Sequence, residues 1–164
     1  MVSRGIHFAE PENCPNQELA RDEHSNYVNR DYTMDLAIVV PARNEEGTIG
    51  TTIEEIEKEV RSPHRIVVVN DHSTDRTVAI VSEIGAIHSN IELVHNEREP
   101  GFANAIATGF EHARADLVVP VMGDLCDDPA TIDLMLAKTA EGYDVVCGSR
   151  YIAGGSRIGG PRIQ

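Results

Sequence analysis

Five short apolar runs constrain this chain more than any other feature, four of them followed by a polar turn and a segment with helical spacing. Leu36–Val40 is β-branched and apolar throughout, and Pro41 stops it. Ile49, Ile53, Ile56 and Val60 then recur at the spacing of one helix face, and Ser62-Pro63 ends that helix. Arg65–Val69 predicts a second strand and Thr77–Ile84 a helix entered through the capping residues Ser73, Thr74 and Asp75. Ile91–Val94 and Ala103–Arg114 repeat the pair, as do Leu117–Val121 and Pro129–Glu141. Asp144–Cys147 predicts a fifth strand. Runs without alternation of apolar and polar residues suit strands covered on both faces. Strands alternating with helices at this pitch predict an α/β fold in three αβα layers around a mostly parallel sheet.

Such sheets bind ligands at the carboxyl ends of their strands. The polar clusters Arg43–Glu46, Asn70–Asp75, Asp124–Asp128 and Gly148–Arg150 all follow strands, whereas the opposite edge, with Ser62-Pro63-His64 and Ala115-Asp116, is plainer. The stretch Leu117–Pro129, LVVPVMGDLCDDP, is the sharpest case: a buried run ends in Gly123, Asp124, Asp127 and Asp128. Two unit charges ~4 Å apart repel by about 1 kcal/mol in water and about 4 near a protein surface. A divalent cation turns that repulsion into binding, and oxygen donors suit Mg2+ or Mn2+. Asp127 and Asp128 suit equally well the cap of the helix beginning at Pro129. An acidic, metal-holding edge with no dedicated nucleophile fits a diphosphate leaving group. Neither GxxxxGK[ST] nor GxGxxG follows the first strand, so a nucleotide would lie with its base and ribose over the first two strand ends, Glu45 and Asp71 accepting from them.

The totals exclude other classes. A formal net charge of −13 opposes nucleic acid and anionic lipid as partners. The 3 cysteines, Cys14, Cys126 and Cys147, form neither a zinc spacing nor a disulfide framework, which favours a reducing cytoplasm. No run in the 164 residues reaches the ~18 apolar residues of a transmembrane segment. His88, His95 and His112 are not spaced as a metal set.

Four segments in order, VVPARNEEGTI, VVVNDHSTDRT, PGFANAIATGFEHARAD and DVVCGSRYIAGG, resemble family 2 glycosyltransferases over about residues 35–157. The likeness is nearest to the polyprenyl- or dolichyl-phosphate sugar synthases. It implies a GT-A fold and inverting transfer of a sugar from a nucleotide diphosphate sugar, a UDP- or GDP-sugar, with Mg2+ or Mn2+. The acceptor implied is a lipid phosphate or a glycan, and the location the cytoplasm, including the cytoplasmic face of a membrane. The resemblance assigns Pro41, Arg43, Asn44, Glu45 and Asp71 to the nucleoside, and Gly101, Asn104 and Gly123 to the neighbourhood of the nucleotide. Asp124 matches the last Asp of the family's DxD, though Met122-Gly123-Asp124 lacks the first; Asp127 or Asp128 would replace the missing oxygen, and the hypothesis taken is that Asp124 and Asp127 share the cation. Arg150 matches an arginine that meets the acceptor phosphate, whose fork suits an oxyanion. An acceptor phosphate is already anionic and requires no strong general base.

The domain reading is a polar arm over 1–33, a sugar-nucleotide core over 34–150, and a Gly-rich start of an acceptor region over 151–164, cut short at Gln164. The rival reading is a non-catalytic nucleotide-sugar-binding or oligomerisation module, favoured by the incomplete DxD and the early stop at Gln164; an open sheet edge separately invites self-association into a homo-oligomer. A nucleotidyltransferase on a similar sheet is weaker: the loop after the first strand is acidic rather than basic.

Overall fold

The computed structural model describes residues 35–149. Residues 35–144 belong to one compact unit and residues 145–149 to another. The polar arm, Arg150 and the Gly-rich stretch after it lie outside the described residues.

The first unit runs β1 (Leu36–Ala42), α1 (Ile49–Glu59), β2 (His64–Asn70), α2 (Thr77–Gly85), β3 (Ile91–His95), α3 (Phe102–Ala113), β4 (Leu117–Pro120) and α4 (Ile132–Ala140). The sheet is four-stranded in the order β3-β2-β1-β4, and every pairing is parallel. β1 and β2, at the centre, carry the purest apolar runs because both of their faces are covered. Strand alternation sorts them: Ile38, Val40, Ile66 and Val68 pack with Ile49, Ile53 and Ile56 of α1, Val81 of α2 and Ile132 of α4. Ala37, Val39, Val67 and Val69 turn to the other face, against Ala105 and Ala113 of α3. Small residues let α3 approach closely. A Cβ placed on Gly109 would lie 2.2 Å from Val39 Cγ1.

Three expectations are corrected. Pro41 does not stop β1, which continues to Ala42 with Pro41 opposite Val69. Val39 bonds toward β4 through Val121 N–H, so Pro41 turns its missing donor to the same side, beyond the last β1–β4 pair at Val39 and Pro120. The expected helix over Pro129–Glu141 opens with a separate 3-10 turn, Pro129–Thr131, because Asp128 holds the Ala130 and Thr131 N–H groups in a tight i to i+3 arrangement. Asp144–Cys147 forms no strand; Val145 is 77% exposed. An apolar run becomes a strand only where a neighbour accepts its backbone bonds, and among the described residues the sheet ends at β4.

Among the described residues no helix is long and apolar enough to cross a membrane.

Candidate functional site at the carboxyl edge of the sheet

The loops after β1 and β2 are bolted together. Asn44 adopts a left-handed φ of 56°, a conformation asparagine tolerates, and its Oδ1 accepts the Thr74 N–H at 2.8 Å. In return, Asn44 N–H donates to Ser73 Oγ at 3.0 Å and Glu45 N–H to Thr77 Oγ1 at 2.8 Å. Glu46 N–H donates to Asp75 Oδ2, and Arg76 N–H to a Glu46 carboxylate oxygen, both at 3.0 Å. Asp75 also takes the N–H and hydroxyl of Thr77 at the start of α2. Loss of water contact works against its charge, but the Thr77 hydroxyl and the N–H groups of Thr77 and Glu46 outweigh it, so its carboxyl sits below the usual carboxylate range.

Asp71 is the buried charge of this edge, 4% exposed. Its carboxylate accepts Asn96 Nδ2 at 2.7 Å and the Gly101 N–H at 2.9 Å. The Arg43 guanidinium stands 3.9 Å away, half exposed, and supplies the nearby positive charge. Asp71 thereby joins the loop after β2 to the loop after β3. That second loop is held further by His72, which donates a ring N–H to Arg98 O at 2.9 Å, and by Asn104 Nδ2, which donates to Glu99 O at 2.8 Å. Asn104 is thus used in local hydrogen bonding.

The loop after β4 meets the same edge. A Cβ on Gly123 would sit 3.2 Å from Pro41 O and 3.6 Å from Glu45 Cγ, so glycine permits this approach. Thr52 of α1 anchors it through Oγ1, 3.0 Å from the Gly123 carbonyl. The hydroxyl is also 3.1 Å from Thr48 O, but that carbonyl already accepts the Thr52 N–H, so the proton is best used at Gly123. Asp124 Oδ1 accepts Cys126 N–H at 3.1 Å across Leu125, whose φ of 63° is costly for a leucine. Asp127 Oδ2 accepts Met122 N–H at 2.8 Å, while Asp128 is the helix-capping residue of the pair. Thr51, Glu55, Met122 and Leu125 line a cleft between α1 and this loop.

Among the described residues no group of three or more His, Cys, Asp or Glu is arranged to hold a metal ion. Asp124 and Asp127 each use one carboxylate oxygen in these turns. That donor chemistry fits a cation bound through one or two carboxylates and completed by substrate phosphates, the usual manner of Mg2+, rather than an all-protein cage.

The structure therefore brings Pro41, Arg43, Asn44, Glu45, Asp71, Gly101, Asn104 and Gly123 to one edge, with Asp124 and Asp127 on the loop after β4. Arg150 lies outside the described residues. Pro41 is buried within β1, and Glu45 spends one carboxylate oxygen on the Thr48 hydroxyl at 2.7 Å. Sequence reasoning missed Asn96, buried beside Asp71, and Thr108, buried and bonded to Asn96. For Asn96 a signal existed: it directly follows β3, at the same carboxyl edge as Asn70, the last residue of β2. The opposite edge is less plain than expected, since Asp133 accepts from Arg61 N–H and from the N–H and hydroxyl of Ser62.

Known proteins resemble this chain. It is 34% identical over 113 residues to an uncharacterized glycosyltransferase, YkcC, of Bacillus subtilis, a match covering 67% of this chain and 35% of the relative. It is 28% identical over 123 residues to the dolichol-phosphate mannosyltransferase of Pyrococcus furiosus, covering 74% of this chain and again 35% of the relative. This chain thus spans about a third of the length of these curated relatives. Among solved structures, the mannosyltransferase PcManGT of Pyrobaculum calidifontis, in complex with GDP-Man and Mn2+, superposes with a TM-score of 0.52 at 29% identity, covering 57% of this chain and 28% of that one. The fold is that of the GT-A glycosyltransferases. Residues 37–163 match glycosyl transferase family 2, and with most of its length so matched the chain belongs to that family.

Proposed function

We propose that this chain supplies the donor side of a sugar transferase: it binds a nucleotide diphosphate sugar across the carboxyl ends of β1 and β2, for inverting transfer to a polyprenyl or dolichyl phosphate or to a glycan. The core spans 34–150 and the acceptor region begins at 151. The observation that carries the reading is the cross-bonding of the loops after β1, β2 and β3 around buried Asp71, with the acidic loop after β4 against the same edge.

Arg43, Glu45 and Asp71 orient the nucleoside; Asp71 is held rigid by Asn96 and Gly101, so little ordering is left for binding to accomplish. Asp124 and Asp127 would hold Mg2+ or Mn2+, which neutralises the diphosphate as it leaves. The Mn2+ held with GDP-Man by the Pyrobaculum mannosyltransferase supports a divalent ion, and the Pyrococcus relative supports a lipid-phosphate acceptor. Arg150 would meet the acceptor's phosphate. That phosphate is anionic at neutral pH and attacks without a strong base. The scattered cysteines favour the cytoplasm, including its membrane face.

Calorimetric titration of UDP and GDP with and without Mn2+ tests the reading. Metal-dependent binding is expected, weakened at least tenfold in Asp124→Asn; binding of neither nucleotide, or unchanged manganese affinity in that variant, refutes it. Binding without transfer would favour the non-catalytic module.

A further inference from the structure

Asn96 is 3% exposed, and its amide N–H and both side-chain polar atoms are engaged. Its backbone N–H donates to Asn70 O at 3.0 Å. Its side-chain Oδ1 accepts Arg98 N–H at 3.0 Å and the Thr108 hydroxyl at 3.2 Å. The Arg98 N–H, which can only donate, fixes which way the amide points, because a flipped Asn96 would set its NH2 against it; the Thr108 hydroxyl then braces the same oxygen. Nδ2 must then face Asp71 Oδ1 at 2.7 Å, with Glu99 O at 3.4 Å as its second acceptor. Asp71 in turn takes the Gly101 N–H. Thr108 belongs to the buried face of α3, next to Gly109, whose missing Cβ allows the helix to sit close enough for this contact. The chain of bonds runs from α3 through Thr108 and Asn96 to Asp71, and ends on the first residue before α3.

We propose that Asn96, its amide oriented by the Arg98 N–H and braced by the Thr108 hydroxyl, is a positioning residue that fixes the Asp71 carboxylate and the Glu99–Gly101 turn for nucleoside binding. The inference rests on the donor-site reading above for its functional half. Its geometric half stands alone: Asn96 decides where Asp71 points, whatever ligand follows. Asn96 touches no ligand under this proposal. It acts through Asp71, so its effect on binding depends on Asp71 being present.

Two measurements on the full chain decide it. The first needs no nucleotide: amide hydrogen exchange at Gly101, followed by NMR in Thr108→Val and Asn96→Ser. Thr108→Val is nearly isosteric and keeps a folded control where Asn96→Ser is too disruptive. Loss of a buried hydrogen-bond partner is worth about 1 kcal/mol, so exchange should quicken roughly five- to tenfold at Gly101 and not in β1. Unchanged Gly101 exchange in both variants overturns the proposal. The second is a double-mutant cycle on UDP or GDP affinity with Mn2+ present. Asn96→Ser should weaken binding about tenfold when Asp71 is present and less than twofold in an Asp71→Asn background. Equal losses in both backgrounds overturn the positioning role even though nucleotide binding itself stands. Failure of the unsubstituted chain to bind either nucleotide refutes the donor-site reading, and the exchange measurement still decides the role of Asn96.

Discussion

Replacing Gly109 by alanine should damage this protein, whereas the same change at Gly50 should help it. Both glycines lie in helices, where alanine is favoured by up to ~1 kcal/mol. They differ in what a methyl group meets. At Gly50 the nearest atom is Ile80 Cγ2 at 3.7 Å, an ordinary contact. At Gly109 it is Val39 Cγ1 at 2.2 Å, with Val69 Cγ2 at 3.1 Å beyond. Carbon atoms settle at roughly 3.5–4.0 Å, so α3 or Val39 must give way by ~1.5 Å. Val39 is fully buried in the central strand and has no space to retreat into. Overpacking of this kind costs about 1–3 kcal/mol, which exceeds the helical gain. Urea unfolding should therefore show Gly109→Ala less stable by about 1–2 kcal/mol and Gly50→Ala more stable by up to ~1. In heat, each kcal/mol corresponds to about 2–4 °C at this size. Gly109→Ala should also weaken nucleotide binding, because a displaced α3 carries Thr108 away from Asn96. A Gly109→Ala protein as stable as the parent, or both variants shifting in one direction, would refute the close seating of α3.

Thr52→Val keeps shape but leaves the buried Gly123 carbonyl without its donor, and should cost about 1–3 kcal/mol by urea unfolding while weakening manganese-dependent nucleotide binding. Acid should destabilise the fold through Asp75 and Asp133. For Asp133, removal from water opposes the charge, but the N–H groups of Arg61 and Ser62 and the Ser62 hydroxyl outweigh it and hold the carboxyl below its usual range. A lowered folded-state value means the stabilisation is complete above the unfolded carboxylate value and is lost as pH falls through the folded one. The urea midpoint should drop below about pH 4, and Asp133→Asn should flatten that drop; an equally steep decline in the variant would contradict the assignment.

The central strands were legible because β1 and β2 are apolar on both faces, a pattern that survives any detail of packing. The β4 run and the run at Asp144–Cys147 are both short and apolar, yet only the first pairs. Local composition cannot tell them apart, because strand formation there depends on a neighbour distant in sequence. Pro41 misled for a related reason: proline ends a strand only when its missing N–H faces a partner, and which side it faces is set by register. Position alone put the polar residues after the strands at one edge, and the cap before Pro129 was expected of Asp127 or Asp128, of which Asp128 takes it. Asn96 and Thr108 were not found, since their pairing joins β3's exit to the middle of α3.

The amino-acid order alone determined the alternation of strand and helix, hence the parallel sheet, and with it the edge to which Arg43, Asp71 and Asp124 are delivered. Those outcomes follow from apolar periodicity and from the rule that a crossover returns each strand in the same direction. Tertiary structure alone decided which polar side chains at that edge are spent on one another. Asp71 is committed to Asn96 and Gly101, and Asn44 to Thr74, because hydrogen-bond partners are chosen by distances of about 3 Å between loops some thirty residues apart.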